Sequence, residues 1–169
     1  MTHKIYLASS WRNLYQPAMV CFLRAQGHAV YDFRQPEEGN YGFNWKQIDP
    51  QAEAWSIEGF RDALWSPIAH DAFCLDKRAL ECCDLVILLL PSGRSSHMEA
   101  AYHAGKGGPV IVHCPEADLI ETALGVPNFE PELMYKLLTA ITTTEGELMD
   151  FLALPLDRLK TLSLAGVRA

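Results

Sequence analysis

The chain contains no Cys-x-x-Cys, no His and Cys set at metal-ligand spacing, no Gly-x-Gly-x-x-Gly after its first strand, no block of Lys or Arg, and no apolar run of membrane-spanning length. Each absence removes a class of function. Without the glycine fingerprint, the simplest dinucleotide-dependent dehydrogenase is disfavoured. The pairs and singles His70-Asp71, His103 and His113-Cys114 lack a third ligand at recognisable spacing, so neither metal catalysis nor a cofactor is expected. Acidic residues outnumber basic ones 21 to 14, for a net charge of −7, which argues against a nucleic-acid groove or an anionic membrane surface as partner. The five cysteines, Cys21, Cys74, Cys82, Cys83 and Cys114, are odd in number and mostly sit in apolar segments, so they read as reduced core thiols. The opening Met-Thr-His-Lys-Ile-Tyr-Leu is too polar for a signal peptide, and a cytoplasmic protein is expected.

What is present is an alternation of short apolar strands and amphipathic helices. At 169 residues the chain suits one domain with one core, and 49% hydrophobic with 21% charged residues is ordinary for a globular protein. Strands are predicted over residues 4–8, 28–33, 85–90 and 109–114, and helices over 16–26, 56–65, 70–82 and 96–105. Residues 34–50, with Pro36, Gly39, Gly42 and several aromatics, read as a long functional loop. Residues 131–138 fit helix or strand equally. Thr144-x-x-Glu147 reads as a capping box opening another helix. The alternation predicts a single α/β domain over residues 1–154, of Rossmann or flavodoxin type, with a parallel sheet of about five strands and helices on both faces. The Leu-rich tail, 155–169, is expected to dock on the domain or to form an oligomer contact.

Chemistry in open α/β sheets gathers at the carboxyl ends of the strands. There the run Leu85 to Leu90, which lacks alternation and so suits a central strand buried on both faces, empties into Pro91-Ser92-Gly93-Arg94-Ser95-Ser96-His97-Met98-Glu99. Two readings of Glu99 compete. Ser96-x-x-Glu99 has the form of a capping box, the commoner use of that spacing. Alternatively Glu99 is a catalytic carboxylate in the first turn of a helix, kept ionised by the helix dipole.

Three pieces in register bear on the choice: Leu7-Ala8-Ser9-Ser10-Trp11-Arg12, Asp76 eight residues ahead of Asp84, and Gly93 through Met98-Glu99-Ala100 to Gly105-Lys106. Together, over residues 4–114, they resemble the nucleoside 2-deoxyribosyltransferase superfamily, which includes the nucleoside 5′-monophosphate N-glycosidases. The resemblance implies that Glu99 attacks the anomeric carbon, that Asp76 protonates the leaving base, and that the loop with Ser9, Ser10 and Arg12 holds the sugar-phosphate end. It also implies a site built at a subunit contact, where 131–136, including Tyr135, would supply groups to a homodimer or larger homo-oligomer. The chain departs from the pattern at Gly93, where many relatives carry Asp or Ser, and at Ser95, Ser96 and His97, where they carry small glycines. Ser92, Arg94 and Ser95 enrich this loop in donors and favour a phosphorylated ligand, and His97 is a candidate for binding phosphate or polarising the sugar. Trp45, with Trp11, Tyr41 and Phe43, is a candidate for stacking on a base.

The expectation is therefore a metal-free enzyme that cleaves the N-glycosidic bond of a nucleotide or nucleoside, with hydrolysis preferred to transfer. A glycohydrolase acting on a dinucleotide such as NAD, and a nucleotide-sensing module without turnover, are the alternatives.

Overall fold

The structure is a computed structural model that describes residues 1–115 and 132–164. Five parallel strands form one sheet: β1 (Lys4–Ala8), β2 (Ala29–Tyr31), β3 (Leu85–Leu89), β4 (Val110–His113) and β5 (Ala140–Thr142), in the order β2-β1-β3-β4-β5. The chain first steps outward from β1 to β2 and then returns to the other side of β1 for β3. That reversal leaves a crevice at the carboxyl ends of β1 and β3, the place where such sheets bind ligands.

Helices cover both faces. α1 (Gln16–Ala25), the helix Glu145–Leu152 and Leu159 pack Met19, Val20, Leu23, Leu148 and Leu152 against Ile5, Leu7, Leu85, Ile87 and Leu89. The opposite face carries α3 (Pro67–Cys82) and α4 (Arg94–Gly105), which place Leu80 and Ala100 against Tyr6, Ala8, Val86, Leu88, Val110 and Val112. All of β3 is buried, which explains the lack of alternation in its sequence. Strand periodicity fixes the faces: Tyr6 and Ala8 point toward α3 and α4, Ile5 and Leu7 away. α2 (Ile57–Ala63) lies outside this sandwich and buries only Ala63.

Several expectations need correction. α4 begins at Arg94, with Gly93 as its N-cap and no side-chain cap bond, so the Ser96/Glu99 capping box does not form. Ser96 is buried in the first turn of the helix, and its hydroxyl donates to the Ser9 carbonyl at 2.7 Å, binding α4 to the tip of β1. None of the cysteines is fully buried: Cys21 and Cys82 are exposed, whereas Cys83 and Cys114 pack, partly buried, against the core, so the expectation of core thiols fits only part of the set. The predicted second strand is shorter, three residues at the sheet edge. Leu133–Leu137 forms a 3₁₀ turn, neither α-helix nor strand, and Pro131 lies outside the described residues. The Thr144 box does form, with Glu147 N–H donating to Thr144 Oγ1 at 3.2 Å and Thr144 N–H donating back to the Glu147 carboxylate at 3.4 Å, joined there by Thr143 N–H at 2.7 Å. In the tail, the helix Leu156–Lys160 packs Leu159 into the core, and Leu164 N–H donates to Leu138 O at 2.9 Å; residues 165–169 lie outside the described residues.

Candidate active site

The tip of β1 is held rigidly from two sides. Asn13 is buried, and its Nδ2 donates to Ser9 Oγ (2.9 Å), Leu89 O (3.3 Å) and Pro91 O (3.1 Å), while its Oδ1 accepts from Tyr15 N–H at 2.9 Å. One short side chain thus ties the ends of β1 and β3 together and gives the Pro91 carbonyl a donor. From the other side Arg34 donates one guanidinium nitrogen to the carbonyls of Ser10, Trp11 and Asn13 at 2.9–3.0 Å, with its guanidinium over the Trp11 ring. Ser9 Oγ is itself committed, donating to Leu89 O at 3.0 Å.

Onto this frame two helices deliver carboxylates. Ser95 and Glu99 stand one turn apart on α4, and Asp76 stands on α3; all three line a cleft of about 270 Å³ with Ser9, Trp11, Phe33, Phe43, Asn44 and Trp45. Asp76, Phe33 and Phe43 also line an adjoining cleft of about 500 Å³ that runs on past Tyr41 and Ile68. Beneath the carboxylates lie two tyrosines whose rings stack at 5.2 Å, Tyr6 from β1 and Tyr31 from β2. Tyr31 donates its hydroxyl hydrogen to Asp76 Oδ1 at 2.7 Å, and Tyr6 hydrogen-bonds Glu99.

Burial dominates the electrostatics. It drives the Glu99 carboxyl up to about 7, with repulsion from Asp76 adding to the rise and the Tyr6 hydrogen bond opposing it. Burial likewise raises Asp76, against the bond from Tyr31. Both tyrosines are held protonated far above their ordinary range, chiefly by burial, and so act as donors. No Lys or Arg is among the residues lining either cleft. Two carboxyls that face each other without a cation retain a proton between them near neutrality. Among the described residues, no group of three His, Cys, Asp or Glu side chains is placed to hold a metal ion.

The aromatic wall is a chain of edge contacts: Trp11 on Phe33 (5.4 Å), Phe43 on Trp45 (4.8 Å), and Trp45 on both Trp55 (5.8 Å) and Phe60 (5.4 Å). Gly42 makes it possible, for its φ of +76° suits glycine and a Cβ there would strike the Phe33 carbonyl and come within 2.8 Å of the Trp11 ring.

Of the sequence-predicted residues, the structure therefore brings together Glu99, Asp76, Ser9, Ser95 and Trp45. Ser10 and Arg12 sit on the β1-tip loop outside the cleft lining, with Arg12 exposed and its backbone N–H donating to Ser10 Oγ at 3.2 Å. Gly93 and Arg94 are exposed at the start of α4, and Ser92 Oγ lies 3.4 Å from His97 Nδ1. His97 and Tyr135 fall on the other face of α4. Their rings stack, His97 Nε2 lies 2.9 Å from the Tyr135 hydroxyl, and both line a separate apolar groove of about 600 Å³. Sequence reading missed Tyr6, Tyr31, Asn13 and Arg34. Strand alternation was the available signal for Tyr6, since it puts that side chain on the face that α3 and α4 cover.

No family model matches the chain, and no curated protein matches it. Among solved structures it is similar to a conserved protein from Enterococcus faecalis V583, at 19% identity and a TM-score of 0.46 over 86% of this chain and 94% of that one.

Proposed function

We propose that the chain cleaves the N-glycosidic bond of a nucleoside or nucleoside 5′-monophosphate, as its resemblance to the nucleoside 2-deoxyribosyltransferase superfamily implies. The observation that carries this reading is that Glu99 and Asp76, from different helices, share one aromatic-walled cleft whose lining offers them no cation. Such a cleft disfavours a second negative charge and favours a positive one. An oxocarbenium-like transition state supplies that charge at the moment the C1′–N bond breaks.

In this reading a Glu99 oxygen bonds to C1′ as the C1′–N bond breaks, and the bonding pair passes to the base nitrogen, which takes the proton from Asp76. Asp76, now ionised, takes a proton from the water that attacks C1′ and displaces Glu99, so free sugar leaves and the carboxyl pair is restored. Transfer follows if a second base takes the place of water. Tyr31 occupies Asp76 Oδ1 and so leaves Oδ2 to carry the proton. Trp45, Phe43 and Phe33 provide flat apolar surface for the base. The α4 N-terminus at Ser95 suits a 5′-phosphate, with the exposed Arg12 next to Trp11 in sequence as the cation to receive it.

The test is incubation with a panel of nucleosides and their 5′-monophosphates, with free base followed by chromatography. Release of base by the wild-type protein and its absence with Glu99→Ala are expected. No release from any member of the panel overturns the reading.

A further inference from the structure

The two clefts divide between them the halves of a nucleoside. Glu99 lines the smaller one only, whereas Asp76 lines both, and in the reaction proposed above Glu99 meets C1′ while Asp76 meets the base. The sugar therefore belongs in the cleft of about 270 Å³, and the leaving group passes Asp76 into the one of about 500 Å³. A space of that size falls within the roughly 300–1,000 Å³ that houses a drug-sized molecule, and a bare nucleobase fills only part of it.

The larger cleft also holds a carboxylate that the reaction does not use. α3 turns Ile68, Asp71, Ala72, Leu75 and Asp76 toward it, the i, i+3, i+4, i+7, i+8 series of one helical face. Five residues at about 1.5 Å of rise set Asp71 roughly 7.5 Å from Asp76 along that face, and Asp71 does not line the cleft that contains Glu99. Asp71 takes part in no ion pair among the described residues, and no Lys or Arg lines the cleft. On the loop wall, Gln47 donates through Nε2 to the Gly42 carbonyl at 3.1 Å, which leaves its Oε1 as a second acceptor. We infer, on the strength of the N-glycosidic cleavage proposed above, that Asp71 sets specificity and that the leaving base carries a side arm ending in an amine, on the edge remote from its glycosidic nitrogen. The ring lies against Phe33 and Phe43, which line both clefts, and the arm runs along the apolar side chains of α3. Its ammonium then donates to Asp71 and to Gln47 Oε1, a charge-assisted bond with no competing cation in the lining. A neutral arm of the same size fits the walls but leaves the carboxylate unpaired, and an anionic arm is repelled.

Three substrates with one sugar test this: the adenine nucleoside 5′-monophosphate bare, with an N6-propyl arm, and with an N6-(2-aminoethyl) arm of equal size, free base being followed by chromatography at low salt. For the aminoethyl substrate kcat/KM is expected to exceed that of the propyl one by at least about threefold, through KM, and the gap to close in Asp71→Asn or in about 0.5 M salt. Asp71→Asn is expected to leave the bare substrate within about twofold of wild type, which also shows that the variant folds. Ile68 stands about 12 Å from Asp76 by helical rise, so Ile68→Trp narrows the far end of the cleft. That variant is expected to cost both armed substrates about tenfold and the bare one less than about twofold. Equal kcat/KM for the two arms, a preference that survives Asp71→Asn, or rejection of both arms beside a cleaved bare substrate overturns the inference and leaves N-glycosidic cleavage standing. No release from any of the three also overturns it, and the nucleoside panel above then decides whether the cleavage falls as well.

Discussion

Tyr31 and Asp76 are joined by a 2.7 Å hydrogen bond that ties the edge strand of the sheet to a helix on its face, and the tyrosine ring rests on Tyr6, which bonds Glu99. The two carboxyls are thus fixed by a pair of stacked phenols whose own ionisation lies far outside the working range. Neither phenol is expected to donate its proton to chemistry; both set the angle and the charge of the groups above them.

Replacement of Glu99 by Gln is expected to abolish base release while leaving ligand affinity within about tenfold, because the carboxylate acts mainly on the transition state. The variant should be no less stable than the wild type. Glu99 caps nothing, and its raised pKa means that its contribution is greatest below the ordinary carboxyl range and is lost as pH rises through about 7. At pH 8 the variant is therefore expected to be the more stable protein, by about 1–3 kcal/mol. Urea denaturation at pH 5 and pH 8 checks both signs.

In the proposed reaction the active form of the pair holds one proton. Doubly ionised carboxyls have no acid for the base, and doubly protonated ones have no nucleophile. A bell-shaped profile of kcat/KM follows, with its alkaline limb near the value of about 7 set for Glu99. Removal of the Tyr31 hydroxyl in Tyr31→Phe takes away the bond that lowers Asp76, so the profile is expected to move to higher pH. A profile that stays in place would separate Tyr31 from the proton balance.

Asn13→Ala removes the amide that donates to Ser9 Oγ, Leu89 O and Pro91 O and accepts from Tyr15 N–H; Leu89 O keeps the Ser9 hydroxyl, so the groups left without their side-chain partner are the part-buried Pro91 carbonyl and Tyr15 N–H. An unsatisfied buried group costs about 1–3 kcal/mol, so a loss of about 1–3 kcal/mol in chemical denaturation is expected. Asn13→Asp should be worse than its small size change suggests, since it turns a carboxylate oxygen toward those same carbonyls.

At the far end of the strands, His28 Nδ1 accepts the backbone N–H of His3 at 3.2 Å, and the two rings stack at 5.5 Å. Burial, with the charge of His3, lowers His28, and burial also lowers His103 and His113. Depressed histidines give stability that is present above pH 6.5 and is lost as pH falls through their folded-state values. On a Glu99→Gln background, which removes the opposing trend, stability is expected to fall between pH 6.5 and 5. His28→Asn keeps an acceptor without the titration and should flatten that fall; an unchanged slope would exclude His28 as its source.

Strands β1, β3 and β4 were legible in the sequence because each is a dense apolar run, and the parallel order followed from the helices between them. β5 was not, since three residues after an ambiguous segment carry no period to read. The expected cap at Ser96 failed for a definite reason. Gly93 already opens the helix, which frees the buried Ser96 hydroxyl to hold β1. Spacing could have separated His97 from the site: Ser95 and Glu99 lie one turn apart on α4, and residue 97 falls on the opposite side. Arg34 had no local signature at all, because its three acceptors come from a loop more than twenty residues away.

The carboxyls stand on regular helices braced by the sheet, whereas the far wall comes from one stretch, residues 33–55, of turns and short 3₁₀ pieces whose aromatics mostly touch one another. In the proposed reaction, bond breaking and, Asp71 apart, ligand choice therefore fall to separable parts of the chain. Insertions, deletions and exchanges in that stretch can re-tailor what enters while the reacting pair stays where it is, which makes it the natural segment to graft or randomise when a new selectivity is sought.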